Sequence, residues 1–181
     1  EFKSKLLDEI TALVKGLPSD PNTQFGALVS KAHQAKVFHW VKQAQSEGAE
    51  ILTGGNPYQI NERGFYFEPT LLEGASNACS INQQEIFGPV ACLLPFTSEQ
   101  QVLEQINDSQ YGLATTIWTS DLKNAHQMAA EVETGLVWIN TWMQRDLRTP
   151  FGGMKNSGLG REGGFHALAF CMESKNICIE L

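Results

Sequence analysis

Between residues 88 and 140 the chain alternates short apolar runs with stretches of helical period, a pattern that few architectures accept. Gly88 to Pro95 is a near-continuous apolar run, as expected of a strand covered on both faces. A helical stretch over 98–108 follows it, then a β-prone run from Ala114 to Thr119, a short helix from Asp121 to Glu131, and a strand from Gly135 to Asn140. Strands that alternate with helices at this spacing argue for βαβ units and a mostly parallel sheet with flanking helices, hence one α/β domain.

The rest of the chain extends that reading. Phe2, Leu6, Ile10, Leu13 and Val14 recur at helical spacing, and Gly16 and Pro18 stop the helix. Ser30 reads as the N-cap of a second helix reaching about Ser46, with Val37, Trp40, Val41 and Ala44 turned inward. Ala49 to Thr53 is a short strand closed by Gly54-Gly55, and Phe65 to Leu72 is extended but interrupted by Pro69. Residues 141–161 form a long Gly-rich loop, a length that in compact domains usually carries function. A helix is expected over 162–173 and a strand over 176–181, which sets a C-terminal segment, 162–181, apart from the body, 1–161. The final strand has two readings: an edge of the chain's own sheet, or an addition to a partner's.

Composition removes several function classes. The net charge is -7 with the two signs intermixed, so neither a nucleic-acid stripe nor a polybasic membrane patch is present. No stretch approaches the roughly 18 consecutive apolar residues that a membrane span needs, and the first five residues lack the layout of a signal peptide. A soluble cytoplasmic protein is the expectation. The cysteines at 79, 92, 171 and 178 include no CxxC pair, so they read as reduced structural thiols, and no metal site is expected.

Three segments can carry chemistry. In Gln84-Glu85-Ile86-Phe87-Gly88-Pro89-Val90, a carboxylate stands at a strand mouth, able to accept two hydrogen bonds from a ribose diol, beside the flat face of Phe87. The bland alternative is a solvated glutamate and a core phenylalanine. In Asn140-Thr141-Trp142-Met143-Gln144-Arg145-Asp146-Leu147-Arg148, an arginine beside a tryptophan could hold a carboxylate bidentately; the alternative is a surface arginine paired with Asp146. The third, Pro150 to Gly163, contains Gly158-x-Gly160-x-x-Gly163, the letters of a dinucleotide fingerprint. That reading fails, because a polar loop precedes the glycines and only 18 residues follow them.

Gln84 to Val90, Tyr111-Gly112-Leu113-Ala114, Gly135-Leu136-Val137-Trp138-Ile139-Asn140 and Pro150 to Glu162 occur in this order and spacing in the aldehyde dehydrogenase superfamily, which the chain resembles over essentially its whole length. The resemblance implies an aldehyde dehydrogenase catalytic-domain fold and the oxidation of an aldehyde to a carboxylic acid with NAD, NADP not being excluded. It implies that Glu85 binds the nicotinamide-ribose hydroxyls and that Phe87 packs against the nicotinamide end. Asn140, Trp142 and Arg145 would contact the aldehyde. The last strand resembles the family's oligomerisation strand, so a homo-oligomer is expected. The family's nucleophilic cysteine sits in Gly-Gln-x-Cys, which does not occur here; alignment places it upstream of residue 1, so no catalytic residue is assigned among the 181 and none of the four cysteines is promoted to that role. The stretch 142–152 is similar to the branch acting on 2-hydroxymuconate and 2-aminomuconate semialdehydes, whose substrates carry a distal carboxylate. Arg145 would anchor that carboxylate, with Arg148 as a second candidate. Two other readings stay open: a dehydrogenase of neutral aldehydes, and a truncated, inactive oligomerisation or regulatory module.

Overall fold

A computed structural model describes residues 1–181, which divide into two compact units, Glu1–Pro95 and Phe96–Leu181. In the first unit, helices α1 (Phe2–Ala12) and α2 (Lys31–Ser46) precede strands β1 (Glu50–Thr53), β2 (Pro57–Ile60), β3 (Arg63–Phe67) and β4 (Thr70–Glu73). A single turn, α3 (Ser80–Gln83), then leads to β5 (Val90–Leu93). In the second unit, α4 (Glu99–Asn107), β6 (Tyr111–Gly112), β7 (Ala114–Ile117), α5 (Leu122–Glu131), β8 (Leu136–Ile139), β9 (Met154–Lys155) and α6 (Gly164–Cys171) follow.

The first unit is built around α2. Ser30 caps it, its Oγ accepting from the His33 N–H at 3.1 Å. Val37, Val41 and Ala44 then recur on one face at helical spacing and are fully buried against Phe67 and Leu72. Each large apolar side chain so buried contributes roughly 1.5–3 kcal/mol. The sheet runs β1-β4-β5, with β1 antiparallel and β4–β5 parallel in the register Thr70↔Val90 to Glu73↔Leu93. Thr70, buried within it, is satisfied by accepting from the Gly55 N–H (2.8 Å) and donating to the Glu68 carbonyl (2.7 Å). The β2–β3 hairpin turns through Asn61 and Glu62, both at positive φ, a pairing that matches the twist of its strands.

The second unit contains the expected βαβ crossover. β7 and β8 pair in parallel, from Ala114↔Leu136 to Ile117↔Ile139, and α5 connects them. Asp121 caps α5 and Ser98 caps α4. The core here is thin, with Ile117, Ala125, Val132 and Trp138 buried.

The α/β class follows the sequence, with mixed sheets. Among the strands, parallel pairing is confined to β4–β5 and β7–β8, where a crossover is long enough to allow it; β1–β4, β2–β3 and β6–β9 are antiparallel. Two expectations change. The apolar run at β5 is not covered on both faces: β5 is the edge of its sheet, Ala91 is exposed, and Val90, Cys92 and Leu93 are partly exposed. The tail beyond Cys171 is not an edge strand of this chain's own sheet; residues 172–181 form no strand, and Ile177 and Ile179 stand exposed. The contact boundary falls at Pro95, whereas the sequence reading set a segment apart at residue 162. No helix is long and apolar enough to cross a membrane.

Candidate functional site

Two groups of residues assemble, one in each unit. The first is the turn between α3 and β5. Its approach is held by Glu47, at the end of α2, whose carboxylate accepts from the Ser80 N–H (2.7 Å), the Ser80 hydroxyl (2.7 Å) and the Cys79 thiol (2.9 Å). These donors, with the Cys79 thiol foremost and joined by the Gln43 amide (2.7 Å), bring the Glu47 carboxyl down to about 2 from its ordinary 4.5. Beyond α3 the side chains alternate: Ile86 enters the core while Glu85 and Phe87 on either side of it are exposed. Glu85 makes no hydrogen bond or ion pair within the chain, so both carboxylate oxygens are free to accept.

Phe87 is held in the left-handed region, φ 56°, and the residue is 79% exposed. A bulky residue in that conformation costs on the order of 1–3 kcal/mol and persists only where its surroundings impose it. Two contacts with α2 do so. The Phe87 carbonyl accepts from His33 Nε2 at 2.7 Å, and Gly88 passes so close to the helix that a Cβ there would lie 2.6 Å from Val37 Cγ2. The core phenylalanine of the bland reading is therefore excluded at position 87.

The second group follows β8. Asn140, φ 53°, ties the ends of β7 and β8 together: its Oδ1 accepts from the Thr119 N–H (2.9 Å) and its Nδ2 donates to the Thr119 carbonyl (2.8 Å). Its amide is thus engaged with backbone. The loop beyond is anchored by Trp138, whose Nε1 donates to the Gln144 carbonyl (2.9 Å), and by the edge-on packing of Trp142 against Trp138 at 5.3 Å. Trp142 is 65% exposed.

The two arginines divide the possibilities offered by the sequence. Arg148 forms a fork with Asp146, whose carboxylate also accepts from the Arg148 backbone N–H. The Arg148 guanidinium holds the Asp146 carboxyl below its usual range, and Asp146 raises Arg148 in return. Arg145 has no carboxylate partner. Its guanidinium lies over the Phe151 ring, 3.8 Å from the centroid, a cation–π contact that leaves its N–H donors available.

The Gly-rich segment braces this loop. Phe151 and Glu162 exchange backbone hydrogen bonds at 2.8 Å, and Arg161 Nη1 donates to the carbonyls of Gly153 (2.8 Å) and Gly160 (2.6 Å). Lys155 Nζ donates to Asn107 O (2.6 Å) and Ser109 O (3.0 Å) and pairs with Glu133. Gly135 faces Gly152 so closely that a Cβ would fall 1.7 Å from its carbonyl oxygen. The glycines serve close packing of backbone. His33, Lys155 and Arg161 were not legible as site residues, because each acts on a backbone carbonyl and leaves no local motif.

The sequence profile of the aldehyde dehydrogenase family matches residues 1–177. The chain belongs to the aldehyde dehydrogenase family. Among its relatives in that family, a 2-hydroxymuconic semialdehyde dehydrogenase of Pseudomonas sp. (strain CF600) is 43% identical over 184 residues, covering 100% of this chain and 38% of the relative. A human 2-aminomuconic semialdehyde dehydrogenase is 40% identical, over 99% of this chain and 38% of its own length. Among solved aldehyde dehydrogenases, the indole-3-acetaldehyde dehydrogenase of P. syringae, in complex with NAD+ and IAA, superposes with a TM-score of 0.95 at 36% identity, over 100% of this chain and 37% of that one. The chain therefore spans a little over a third of the length of these aldehyde dehydrogenases.

Proposed function

We propose that this chain supplies the cofactor-facing turn and the substrate-selecting loop of an NAD(P)-dependent aldehyde dehydrogenase acting on a semialdehyde that carries a distal carboxylate, of the 2-hydroxymuconate or 2-aminomuconate kind. The observation that carries this reading is the state of Arg145. It is positioned over Phe151 without an acidic partner, whereas its neighbour Arg148 is already neutralised by Asp146. A fixed guanidinium with free donors suits a planar carboxylate, and a cationic aldehyde would be repelled. Arg148, the second candidate from the sequence, is thereby demoted.

The turn fits a nicotinamide nucleotide. Glu85 offers two unengaged acceptor oxygens for a ribose diol, and Phe87 presents a fixed, exposed ring against which a flat heterocycle can pack. The nucleotide, when bound, supplies the hydride acceptor; the chain's own residues orient it and select the aldehyde. Asn140 acts through the backbone: by joining Thr119 to the end of β8 it sets where the Trp142–Arg145 loop departs. The exposed Ile177 and Ile179, on backbone unpaired within the chain, support self-association through the tail by strand addition.

The test is direct. Supplied with NAD+, the full-length protein is expected to form NADH with 2-hydroxymuconate semialdehyde and to leave acetaldehyde at the same concentration essentially untouched. Equal rates on both would overturn the substrate reading, and no NADH with any aldehyde would overturn the activity.

A further inference from the structure

We propose that His33 is a positioning residue of the cofactor-facing turn, donating from Nε2 to the Phe87 carbonyl and so keeping Phe87 in the left-handed conformation that presents its ring. The inference rests on the reading of Phe87 as a cofactor contact. Three constraints bear on the turn. Ile86, in the core, fixes the residue before Phe87, and the packing of Gly88 against Val37 fixes the residue after it. The peptide plane between 87 and 88 is the remaining freedom, and its oxygen is the atom that His33 holds at 2.7 Å. Rotation of that plane changes ψ at Phe87 and φ at Gly88, which takes Phe87 out of the left-handed well and frees its φ, the angle on which the direction of the ring depends.

His33 is itself well placed for this task. It lies in the first turn of α2, its backbone N–H bound by the capping Ser30, one helical turn ahead of the fully buried Val37. The imidazole also meets the Phe87 ring edge-on, with centroids 6.3 Å apart at 71°. A carbonyl oxygen only accepts, so Nε2 must carry the hydrogen. The neutral Nε2–H tautomer and the imidazolium both provide it, and the contact therefore needs no change of protonation.

Two variants of the full-length protein test the proposal: His33→Ala, which removes the donor, and His33→Gln, which keeps an amide donor of similar reach. Loss of one such hydrogen bond predicts a roughly tenfold rise in the KM for NAD+ in His33→Ala. The KM for the aldehyde should stay unchanged, and His33→Gln should recover to within about threefold of wild type. A second readout is independent of turnover. Amide hydrogen exchange over residues 85–90 should accelerate in His33→Ala and return toward wild type in His33→Gln, with both variants melting close to the parent. Unchanged exchange, or a glutamine variant indistinguishable from the alanine one, would overturn the role of His33. A wild-type protein without turnover would instead count against the proposed function, while exchange still decides the role of His33.

Discussion

The turn at 85–87 and the loop at 140–163 both present exposed side chains, and they hold them by opposite means. The turn borrows its rigidity from a dense apolar core: Ile86 is anchored among Val37, Val41, Phe67 and Leu72, and a strained Phe87 is kept in place by packing and one hydrogen bond from α2. The loop leans on a thin core and a polar brace of backbone bridges, Arg161 and Lys155 on carbonyls, and the Asn140–Thr119 tie. Apolar packing resists changes in pH and salt. Polar bracing is local and yields to single substitutions one bond at a time. Under the proposed function, the first arrangement suits a face that holds one invariant nucleotide, and the second a loop that selects among aldehydes.

The contrast can be broken or sharpened by substitution. The largest effect is expected from Phe67→Ala, which should destabilise the first unit by about 3–5 kcal/mol in equilibrium denaturation, because it opens a cavity in a fully buried site. Next comes Gly135→Ala, at about 3 kcal/mol in the second unit, since the added Cβ meets the Gly152 backbone, which cannot move aside as a side chain would. Three of the four tryptophans, Trp118, Trp138 and Trp142, lie in that unit, and in a Trp40→Phe background fluorescence follows it alone. Asn140→Ala should cost about 1–2 kcal/mol through two lost hydrogen bonds and a left-handed backbone; Asn140→Gly should recover only the backbone share.

Smaller effects probe charge. Glu47 titrates lower in the folded chain than its ordinary 4.5, so its stabilisation is present above about 4.5 and is lost as pH falls toward about 2. Glu47→Gln should flatten that acid limb of the melting temperature against pH; an unchanged limb would remove Glu47 as the holder of α3. Arg148→Ala should leave the denaturation midpoint unmoved, since its pair with Asp146 is exposed to solvent.

Much of this was legible in the sequence. The α2 face, the Ser30 cap and the βαβ unit from Ala114 to Ile139 follow from period and capping alone. The β2–β3 hairpin was missed because its turn uses Asn61-Glu62, without the glycine that usually signals such a turn. The coverage of β5 was overestimated: an apolar run reports what a strand is suited to, and its neighbours are set by topology. At the candidate site, the motifs singled out Glu85, Phe87 and Arg145, of which the structure shows that the Phe87 side chain is exposed and that Arg145 stacks on Phe151. They left open which arginine Asp146 neutralises, because positions 145 and 148 flank it in sequence and only the stacking on Phe151 separates them. The engagement of the Asn140 amide and the hold of His33 on Phe87 join residues 21 and 54 positions apart, beyond the reach of any local pattern.

The central claim is that Arg145 reads a carboxylate remote from the aldehyde. In the full-length protein, Arg145→Ala should raise the KM for 2-hydroxymuconate semialdehyde roughly ten- to a hundredfold, corresponding to about 1.5–3 kcal/mol for a charge-assisted contact, while the KM for a neutral aldehyde changes little. An equal shift for both substrates, or none for the acid, would contradict the account.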